Sequence, residues 1–296
     1  MHPRWIQLGL KQYFPAVGRA ETCRVSEQHT RAEFFRSLHT PGSPLVLVNV
    51  WDAASARIVA AAGARAVATT SAGVSWSVGA PDGDVLGRDA AVEVVRRVAA
   101  GAGRLPVTAD IESGYGATSA EVAETVREVI AAGAVGVNIE DARGEAGAPL
   151  RDVADQCGRI AAARAAAEGA GVPLYVNARV DTFLVGAGGL DETVARAREY
   201  LAAGADGVFV PGVVDPGTVR ALVDSVPAPL NVLAGPGAPA VAELAALGVA
   251  RVSLGSSVAE AAYAVARRAA DEAFGAGTYG ALADAIDYGT FNELMR

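Results

Sequence analysis

Short runs of apolar and β-branched residues alternate eight times with longer, alanine-rich segments from Pro44 onward. A repeated strand and helix is typical of a parallel sheet, because parallel neighbours must be joined by a crossover connection. Eight such units predict an α/β fold, a closed (β/α)8 TIM barrel. A doubly wound open sheet is the alternative, but the glycine-rich loop that would follow its first strand is replaced here by Asn49–Asp52.

The pattern also predicts the bounds of the elements. Strands are expected at 45–50, 66–70, 106–110, 136–140, 174–179, 207–210, 230–233 and 251–254. Helices are expected at 53–62, 88–100, 119–132, 152–168, 190–203, 215–225, 239–247 and 256–274, with a short helix at 31–39 that caps the bottom of the barrel.

Three regions follow from this pattern. Residues 1–28 show no clean periodicity and are predicted to form an N-terminal arm, with disorder as one interpretation. Residues 29–274 form the predicted barrel. Residues 275–296 form a predicted C-terminal helical tail that docks either on its own barrel or on a neighbouring subunit.

Composition restricts the partners of the chain. A net charge of -8, from 25 Lys and Arg against 33 Asp and Glu, disfavours nucleic acid and anionic membranes, which require basic surfaces. No apolar run reaches the ~18 residues of a membrane span, and the N-terminus lacks the apolar core of a signal peptide. Cys23 and Cys157 are the only cysteines and are expected to be reduced. We therefore expect a cytoplasmic protein that binds a small molecule.

Rare residues restrict the chemistry further. The single lysine is Lys11, and the three histidines are His2, His29 and His39. All four precede the main body of the barrel. A Schiff-base lysine, a histidine general base, a Ser-His-Asp triad and a His-ligated zinc are therefore excluded within that body. The chemistry must depend on carboxylates, arginine, hydroxyl groups and a metal ion.

Acidic residues gather where catalytic side chains of such barrels lie, at the carboxyl ends of the strands. Asp110 and Glu112 end the third strand, Glu140 ends the fourth, and Arg179 ends the fifth. Neighbouring carboxylates repel unless a cation lies between them, and oxygen ligands favour Mg²⁺ or Mn²⁺ over zinc. We expect a magnesium site, with Arg179 binding an acidic group of the substrate.

Several of these residues also have a purely structural interpretation. Asp52 and Asp181 could cap the helices that follow them. Arg179 could form a structural ion pair with a neighbouring carboxylate. Asp82 and Asp84, in the loop after the second strand, could be ordinary turn residues beside proline and glycine.

Five phrases of the sequence, in order, resemble a known family. They are Asn49-Val50-Trp51-Asp52-Ala53-Ala54-Ser55-Ala56-Arg57, Ser71-Ala72-Gly73-Val74-Ser75, Asp110-Ile111-Glu112-Ser113-Gly114-Tyr115-Gly116, Val137-Asn138-Ile139-Glu140-Asp141 and Asn177-Ala178-Arg179-Val180-Asp181-Thr182-Phe183. On these phrases the chain resembles the isocitrate lyase and phosphoenolpyruvate mutase superfamily, from about Arg31 to Phe274.

The resemblance implies a role for each matched residue. Asp110 would bind Mg²⁺ directly, Glu112 and Glu140 would bind it through water, and Asp82 would line the same pocket. Ser71 and the backbone of Ala72 and Gly73 would hold the carboxylate of an oxo acid, while Arg179 would bind the other acidic group. Trp51 and Asn231 are also predicted to contact the substrate. The superfamily's tetramers with exchanged helices imply a homo-oligomer, tetramer or dimer, exchanging residues 256–296.

One loop departs from the family pattern. The lyases carry a cysteine after the fourth strand and the mutases a lysine, whereas residues 141–149 of this chain contain neither. Arg143, Glu145 and Arg179 are the predicted catalytic residues, and the first two would supply acid-base chemistry from this loop.

We expect a Mg²⁺-dependent carbon–carbon lyase or decarboxylase that acts on a small α-oxo or hydroxy (di)carboxylate through an enolate. Phosphoenolpyruvate mutase or phosphonopyruvate hydrolase chemistry is the first alternative, and a non-catalytic oxo-acid binder is the second. A phosphate-binding isomerase or synthase ranks below them, because it leaves the acidic residues of the third and fourth strands unexplained.

Overall fold

A computed structural model describes residues 17–143 and 149–296, with side chains from residue 27 onward. Its strands form one fully parallel sheet in the order β1-β9-β8-β7-β6-β5-β4-β3-β2. The strands are β1 (Leu45–Leu47), β2 (Asn49–Val50), β3 (Val67–Thr69), β4 (Val107–Asp110), β5 (Gly136–Glu140), β6 (Tyr175–Arg179), β7 (Gly207–Val210), β8 (Leu230–Leu233) and β9 (Arg251–Ser253).

The sheet closes through the first barrel strand. β1 pairs with β9, and β2 pairs with β3. β1 and β2, separated by Val48, therefore pair with strands on opposite sides. The single strand predicted over 45–50 is therefore two segments. The register of a closed barrel is staggered, so one strand meets its two neighbours along different parts of its length. The result is the eight-membered α/β TIM barrel that the sequence predicts.

The barrel helices begin and end within two residues of their predicted bounds. The helices of the described chain are α1 (Val17–Ser37), α2 (Ala53–Ala61), α3 (Ser71–Ser77), α4 (Arg88–Ala102), α5 (Ser119–Ala131), α6 (Val153–Gly169), α7 (Leu190–Ala202), α8 (Pro216–Ser225), α9 (Val241–Ala246), α10 (Ser257–Gly275) and α11 (Tyr288–Leu294), with a short 3₁₀ turn at Gly280–Leu282.

Two helices differ from the prediction. α1 is longer than the helix predicted over 31–39, so residues 17–28 of the predicted arm are helical, whereas residues 1–16 lie outside the described chain. α3 was not predicted, because its seven residues are too few to show a helical period.

The end of α1 packs against the bottom of the barrel. Phe35 is fully buried, and Gln28 Nε2 donates hydrogen bonds to the backbone oxygens of Ile130 (2.8 Å) and Ala134 (2.9 Å). The His39 ring follows α1 and stacks on Tyr175 with ring centroids 3.9 Å apart. The lower opening of the barrel is therefore covered, as predicted for this helix.

Amide side chains fill the middle of the barrel. Asn177 Nδ2 donates to Asn138 Oδ1 at 2.9 Å and to Asn231 Oδ1 at 3.1 Å. β6 and β8 are not neighbours in the sheet, so the second bond crosses the interior. Branched aliphatic side chains usually fill this space. Here a hydrogen-bonded layer lies beneath the residues at the carboxyl ends of the strands.

α10 lies mostly outside the barrel, and Ala259 is the one buried residue among its 19. The tail beyond it contacts its own barrel at α2, where Arg57 Nη1 donates to the backbone oxygen of Leu294 at 3.0 Å. Within the described residues, no helix combines the length and the apolar character that crossing a membrane requires.

Candidate active site

Three charged side chains meet at the carboxyl ends of β4, β5 and β6. Asp110 lies opposite Asn138, and Glu140 lies opposite Arg179. Arg179 Nη1 is 2.5 Å from Glu140 Oε2, and its Nε is 2.7 Å from Asp181 Oδ1. The ion-pair interpretation of Arg179 is therefore found in the structure. The two carboxylates also fix the guanidinium at the mouth of the barrel.

The pKa values of these carboxylates are shifted by burial and by one another. The pKa of Glu140 is raised well above its ordinary value, first by burial and then by Asp181, Asp110 and Glu112, while Arg179 opposes the shift. Burial likewise raises the pKa of Asp181, against the effect of Arg179. Burial thus contributes most to both shifts, and the neighbouring carboxylates add to it.

Asp110 is positioned by its backbone. Its N–H donates to Thr69 Oγ1 at 2.8 Å, which ties the end of β4 to β3. Among the described residues, its carboxylate accepts only two long contacts, from the N–H groups of Ser71 (3.4 Å) and Glu112 (3.3 Å). The carboxylate is thus held in place without a strong partner.

Glu112 instead has several strong partners. Its Oε2 accepts from the backbone N–H groups of Gly83 (3.0 Å) and Asp84, and its Oε1 accepts from the Tyr115 hydroxyl at 2.9 Å. Burial raises the pKa of Glu112 to about 7, against these hydrogen bonds. Glu112 therefore anchors the loop between α3 and α4.

The same contacts involve a strained backbone. Glu112, Tyr115 and Asp84 all have positive φ, at 50°, 50° and 59°, a region that residues with a side chain rarely adopt. Asp84 also accepts a short hydrogen bond from the Ser113 hydroxyl. The sequence pattern predicts no role for Tyr115. The residue lies three positions after Glu112, and this spacing is what could have indicated their contact.

The anchored loop brings Asp82 to the mouth. The pKa of Asp82 is raised by shielding from water and by Asp110, while the Ser71 hydroxyl and Arg179 oppose the shift. Asp82 therefore faces the same charges as Asp110 and is more than a turn residue.

Ser71, Ala72 and Gly73 form the first turn of α3, where backbone N–H groups have no acceptor within the helix. A Cβ on Gly73 would lie 2.8 Å from Thr70 Cγ2 and 2.9 Å from Trp51 Cβ. Only glycine allows this approach. Trp51 is thereby placed beside the turn.

Two predicted residues lie elsewhere. Asn231 bonds with Asn177 and Ser253 in the amide layer, one level below the carboxylates. Arg143 is exposed at the start of the loop after β5, and its N–H donates to the backbone oxygen of Pro149 at 2.9 Å. Glu145 lies outside the described residues.

The interpretation of two aspartates as helix caps has a mixed outcome. Asp52 caps α2, since its Oδ1 accepts from Ser55 N at 2.6 Å. Asp181 caps no helix and pairs with Arg179 instead. The residue that caps α5 is Thr118.

The chemistry of the mouth fits a hard divalent cation. Asp110, Glu140 and Asp82 offer oxygen ligands, and Asp110 lies close enough to raise the pKa values of the other two, after burial. Within the described residues, no three His, Cys, Asp or Glu side chains converge into a complete ligand set. A cation held here would therefore keep water among its ligands, as Mg²⁺ commonly does.

Comparison with known proteins agrees with this fold. The family model described as phosphoenolpyruvate phosphomutase matches residues 35–274. An uncharacterized Mycobacterium tuberculosis protein is 41% identical over 75% of this chain and 81% of its own. An oxaloacetate decarboxylase of Bradyrhizobium sp. (strain BTAi1) is 35% identical over 67% of both chains.

Two solved structures are also similar. One is a Burkholderia cenocepacia J2315 protein described provisionally as a lyase/mutase, with 42% identity, a TM-score of 0.85 and coverage of 91% of this chain and 97% of its own. The other is a phosphonopyruvate hydrolase in complex with oxalate and Mg²⁺, with 26% identity, a TM-score of 0.78 and coverage of 90% and 94%.

Proposed function

Because the chain belongs to the phosphoenolpyruvate phosphomutase family, we propose that it is a Mg²⁺-dependent carbon–carbon lyase or decarboxylase. The substrate would be a small α-oxo or hydroxy (di)carboxylate that reacts through an enolate. The observation that carries the proposal is the group of carboxylates around Asp110, beside an arginine fixed by Glu140 and Asp181. Such a mouth can hold a cation and an acidic substrate together.

The chain's own residues would bind and orient the substrate. Arg179 presents a planar fork of N–H groups suited to one carboxylate, because Glu140 and Asp181 hold the guanidinium in place. The first turn of α3, with Ser71, would hold the carboxylate next to the oxo group. Trp51 would close that side of the pocket. Arg143 and Glu145 would supply the remaining acid-base chemistry from the loop after β5.

Asp110 would hold the metal directly, and Glu112 and Glu140 would hold it through water. Bound there, Mg²⁺ would supply positive charge near the oxygen on which negative charge develops. Glu112 would have a second role in this arrangement, because its hydrogen bonds also keep Asp82 at the mouth.

Phosphonate chemistry is the second candidate. The similarity to the phosphonopyruvate hydrolase extends over most of both chains. Oxaloacetate and phosphonopyruvate each present two acidic groups around one oxo group, so the same arginine and helix turn could bind either. The two reactions differ in the bond that breaks, carbon–carbon or carbon–phosphorus.

A substrate panel tests the proposal. Purified protein with Mg²⁺ is assayed with oxaloacetate, methylisocitrate, alkylmalates and phosphonopyruvate, and both pyruvate and phosphate are measured. We expect pyruvate without phosphate, and a loss of turnover of at least about 10³-fold in Asp110→Asn, since that change removes the charge that would hold the metal. Asp224→Asn, an exposed aspartate on α8, is the matched control and should keep full activity.

Other outcomes would change the assignment. Phosphate release from phosphonopyruvate would establish the second candidate. Binding of oxalate with no turnover of any compound would identify a non-catalytic oxo-acid binder and overturn the proposed lyase.

We further propose that the chain forms a homo-oligomer in which α10 is exchanged. Val46, on the outer side of β1, is 38% exposed, although barrel helices normally cover such positions. It lines an apolar groove of about 530 Å³ together with Val48 and Ile58. α10 meanwhile has one buried residue. The α10 of a second copy would cover the groove and bury its own apolar side chains.

A further inference from the structure

Arg251 is a buried cation at the lower end of the barrel. It begins β9 and is 0% exposed. Its Nη2 donates to Asn138 Oδ1 at 3.2 Å, which crosses the interior from β9 to β5, and its Nε donates to Ser253 Oγ at 3.4 Å. Both acceptors are neutral, and among the described residues Arg251 forms no ion pair.

A buried guanidinium without an anion is costly. Burial lowers the pKa of Arg251 only to about 10, so the group stays charged at neutral pH. Taking an unpaired charge out of water costs several kcal/mol even after the surroundings relax. Among carboxylates, that of Asp110 raises the pKa of Arg251. Asp110 belongs to the proposed metal site at the other end of the interior.

Other buried polar atoms near Arg251 also lack a partner. They are Arg251 Nη1 itself, the Tyr175 hydroxyl, Thr108 Oγ1 and His39 Nε2. Arg251 and Tyr175 are close enough to shift each other's pKa, and Arg251 lowers the pKa of His39. Tyr175 stacks on His39, and a Cβ on Gly136 would meet both Phe35 and Thr108. These atoms therefore lie in one region beneath the amide layer.

We propose that this region binds a small monovalent inorganic anion of the halide class, held by Arg251 and by the hydroxyl donor of Tyr175. The anion would neutralise the guanidinium and accept the hydrogen bonds that the chain leaves unmade. It would serve the stability of the lower barrel and would take no part in turnover. The site is independent of the proposed reaction, since none of its residues lies at the catalytic mouth.

Equilibrium urea unfolding tests the proposal, because unfolding lets the anion exchange freely. The full chain is unfolded in sodium chloride and in sodium gluconate at equal ionic strength. We expect a higher urea midpoint in chloride, by on the order of 0.3 M when chloride is well above its Kd. Arg251→Met should abolish the chloride effect. Tyr175→Phe, which keeps the stacked ring, should reduce it.

A matched control separates the site from general salt effects. Arg127→Met removes an exposed arginine on α5 that pairs with Glu124, and it should keep the full chloride effect. Crystals grown in sodium bromide give an independent test that does not need Arg251→Met to fold. An anomalous bromine peak within about 3.5 Å of the Arg251 guanidinium supports the proposal. Water alone at this position in the bromide crystals overturns it, as would equal midpoints in the two salts for the wild-type chain.

Discussion

At the scale of single residues, the structure pairs charges unequally between the two ends of the barrel. Arg179 shares its guanidinium between two carboxylates, whereas the acceptors of Arg251 among the described residues are all neutral. Carboxylates are grouped at the upper end, where a cation is proposed, and Arg251 is buried at the lower end, where an anion is proposed.

Arg179→Lys tests the role of the planar fork. Lysine keeps the positive charge beside Glu140 and Asp181 but cannot form the paired hydrogen bonds to a carboxylate. We expect kcat/KM for the substrate identified by the panel to fall about 10²-fold, with a thermal midpoint near that of the wild type. Arg198→Lys, on the exposed side of α7, is the control and should keep full kcat/KM. Wild-type kcat/KM in Arg179→Lys would contradict the proposed contact.

His39 predicts a dependence of stability on pH. Burial, with Arg251, lowers its pKa from 6.5 to about 3, so the ring is neutral in the folded protein and its Nδ1 lies 2.9 Å from the Phe35 oxygen. Between these two values the unfolded chain binds a proton that the folded chain does not. Stability is therefore present in full above about pH 6.5 and falls as the pH is lowered toward 3.

The measurement is the free energy of unfolding at pH 7.5 and pH 5.5. The His39 contribution to the loss should be about 1.4 kcal/mol, and it should be absent in His39→Asn, which keeps a donor for Phe35. His29→Asn, an exposed histidine, should lose as much stability as the wild type. An equal loss in His39→Asn would show that His39 is not the titrating group.

At the scale of the elements, close packing across the barrel depends on glycine at inward positions of the strands. The Tyr175 hydroxyl of β6 lies over Gly207 of β7, where a Cβ would also be 3.1 Å from the Pro229 oxygen. The large ring of Tyr175 therefore fits only because its neighbouring strand lacks a side chain. This pairing between strands fixes the ring on which His39 stacks.

Gly207→Ala should destabilise the fold by about 1–3 kcal/mol, because the added methyl has no space. Gly169→Ala, at the end of α6 where nothing lies within 4 Å, should be neutral or stabilising by about 0.5 kcal/mol. Tyr175→Phe should reduce the cost of Gly207→Ala, since it removes the hydroxyl that the methyl would meet. Urea unfolding of the four variants, the double variant included, measures these differences, and additive costs would contradict the contact.

At the scale of the whole molecule, apolar side chains are exposed on α10, on the tail and beside β1. α10 and the tail expose Phe274 (91%), Tyr288 (86%) and Tyr279 (74%), and the groove beside β1 exposes Val46. Exposed apolar area of this kind typically marks a contact surface. In the proposed exchange, one copy would supply the helix and the other would supply the groove.

Light scattering coupled to gel filtration tests this arrangement. We expect the wild type to elute as a dimer or tetramer, and Val46→Glu to shift it to monomer, because a carboxylate cannot be buried against an apolar helix. Val241→Glu, at a similarly exposed valine on α9, should leave the mass unchanged. A monomeric wild-type chain would overturn the proposed exchange.

The sequence by itself determined the architecture of the barrel and restricted the residue types available to its chemistry. The helical and strand periods are local, so they located the barrel helices within two residues, and the strand-end positions of Asp110, Glu140 and Arg179 followed from the order of the strands. The scarcity of lysine and histidine likewise excluded whole classes of catalysis without any structure.

Only the tertiary structure decided which of these groups bind one another. Glu112 bonds with Gly83 and Tyr115 in irregular loops. Asn231 bonds with Asn177 in the amide layer, and Arg251 bonds with Asn138, although these residues are distant in sequence. Loop conformations with positive φ have no periodic signal, and a contact across the barrel depends on the stagger of the closed sheet. The sequence pattern predicts whether a residue is buried or exposed, because that depends on its own helix or strand. The partner of a buried charge depends on the whole fold.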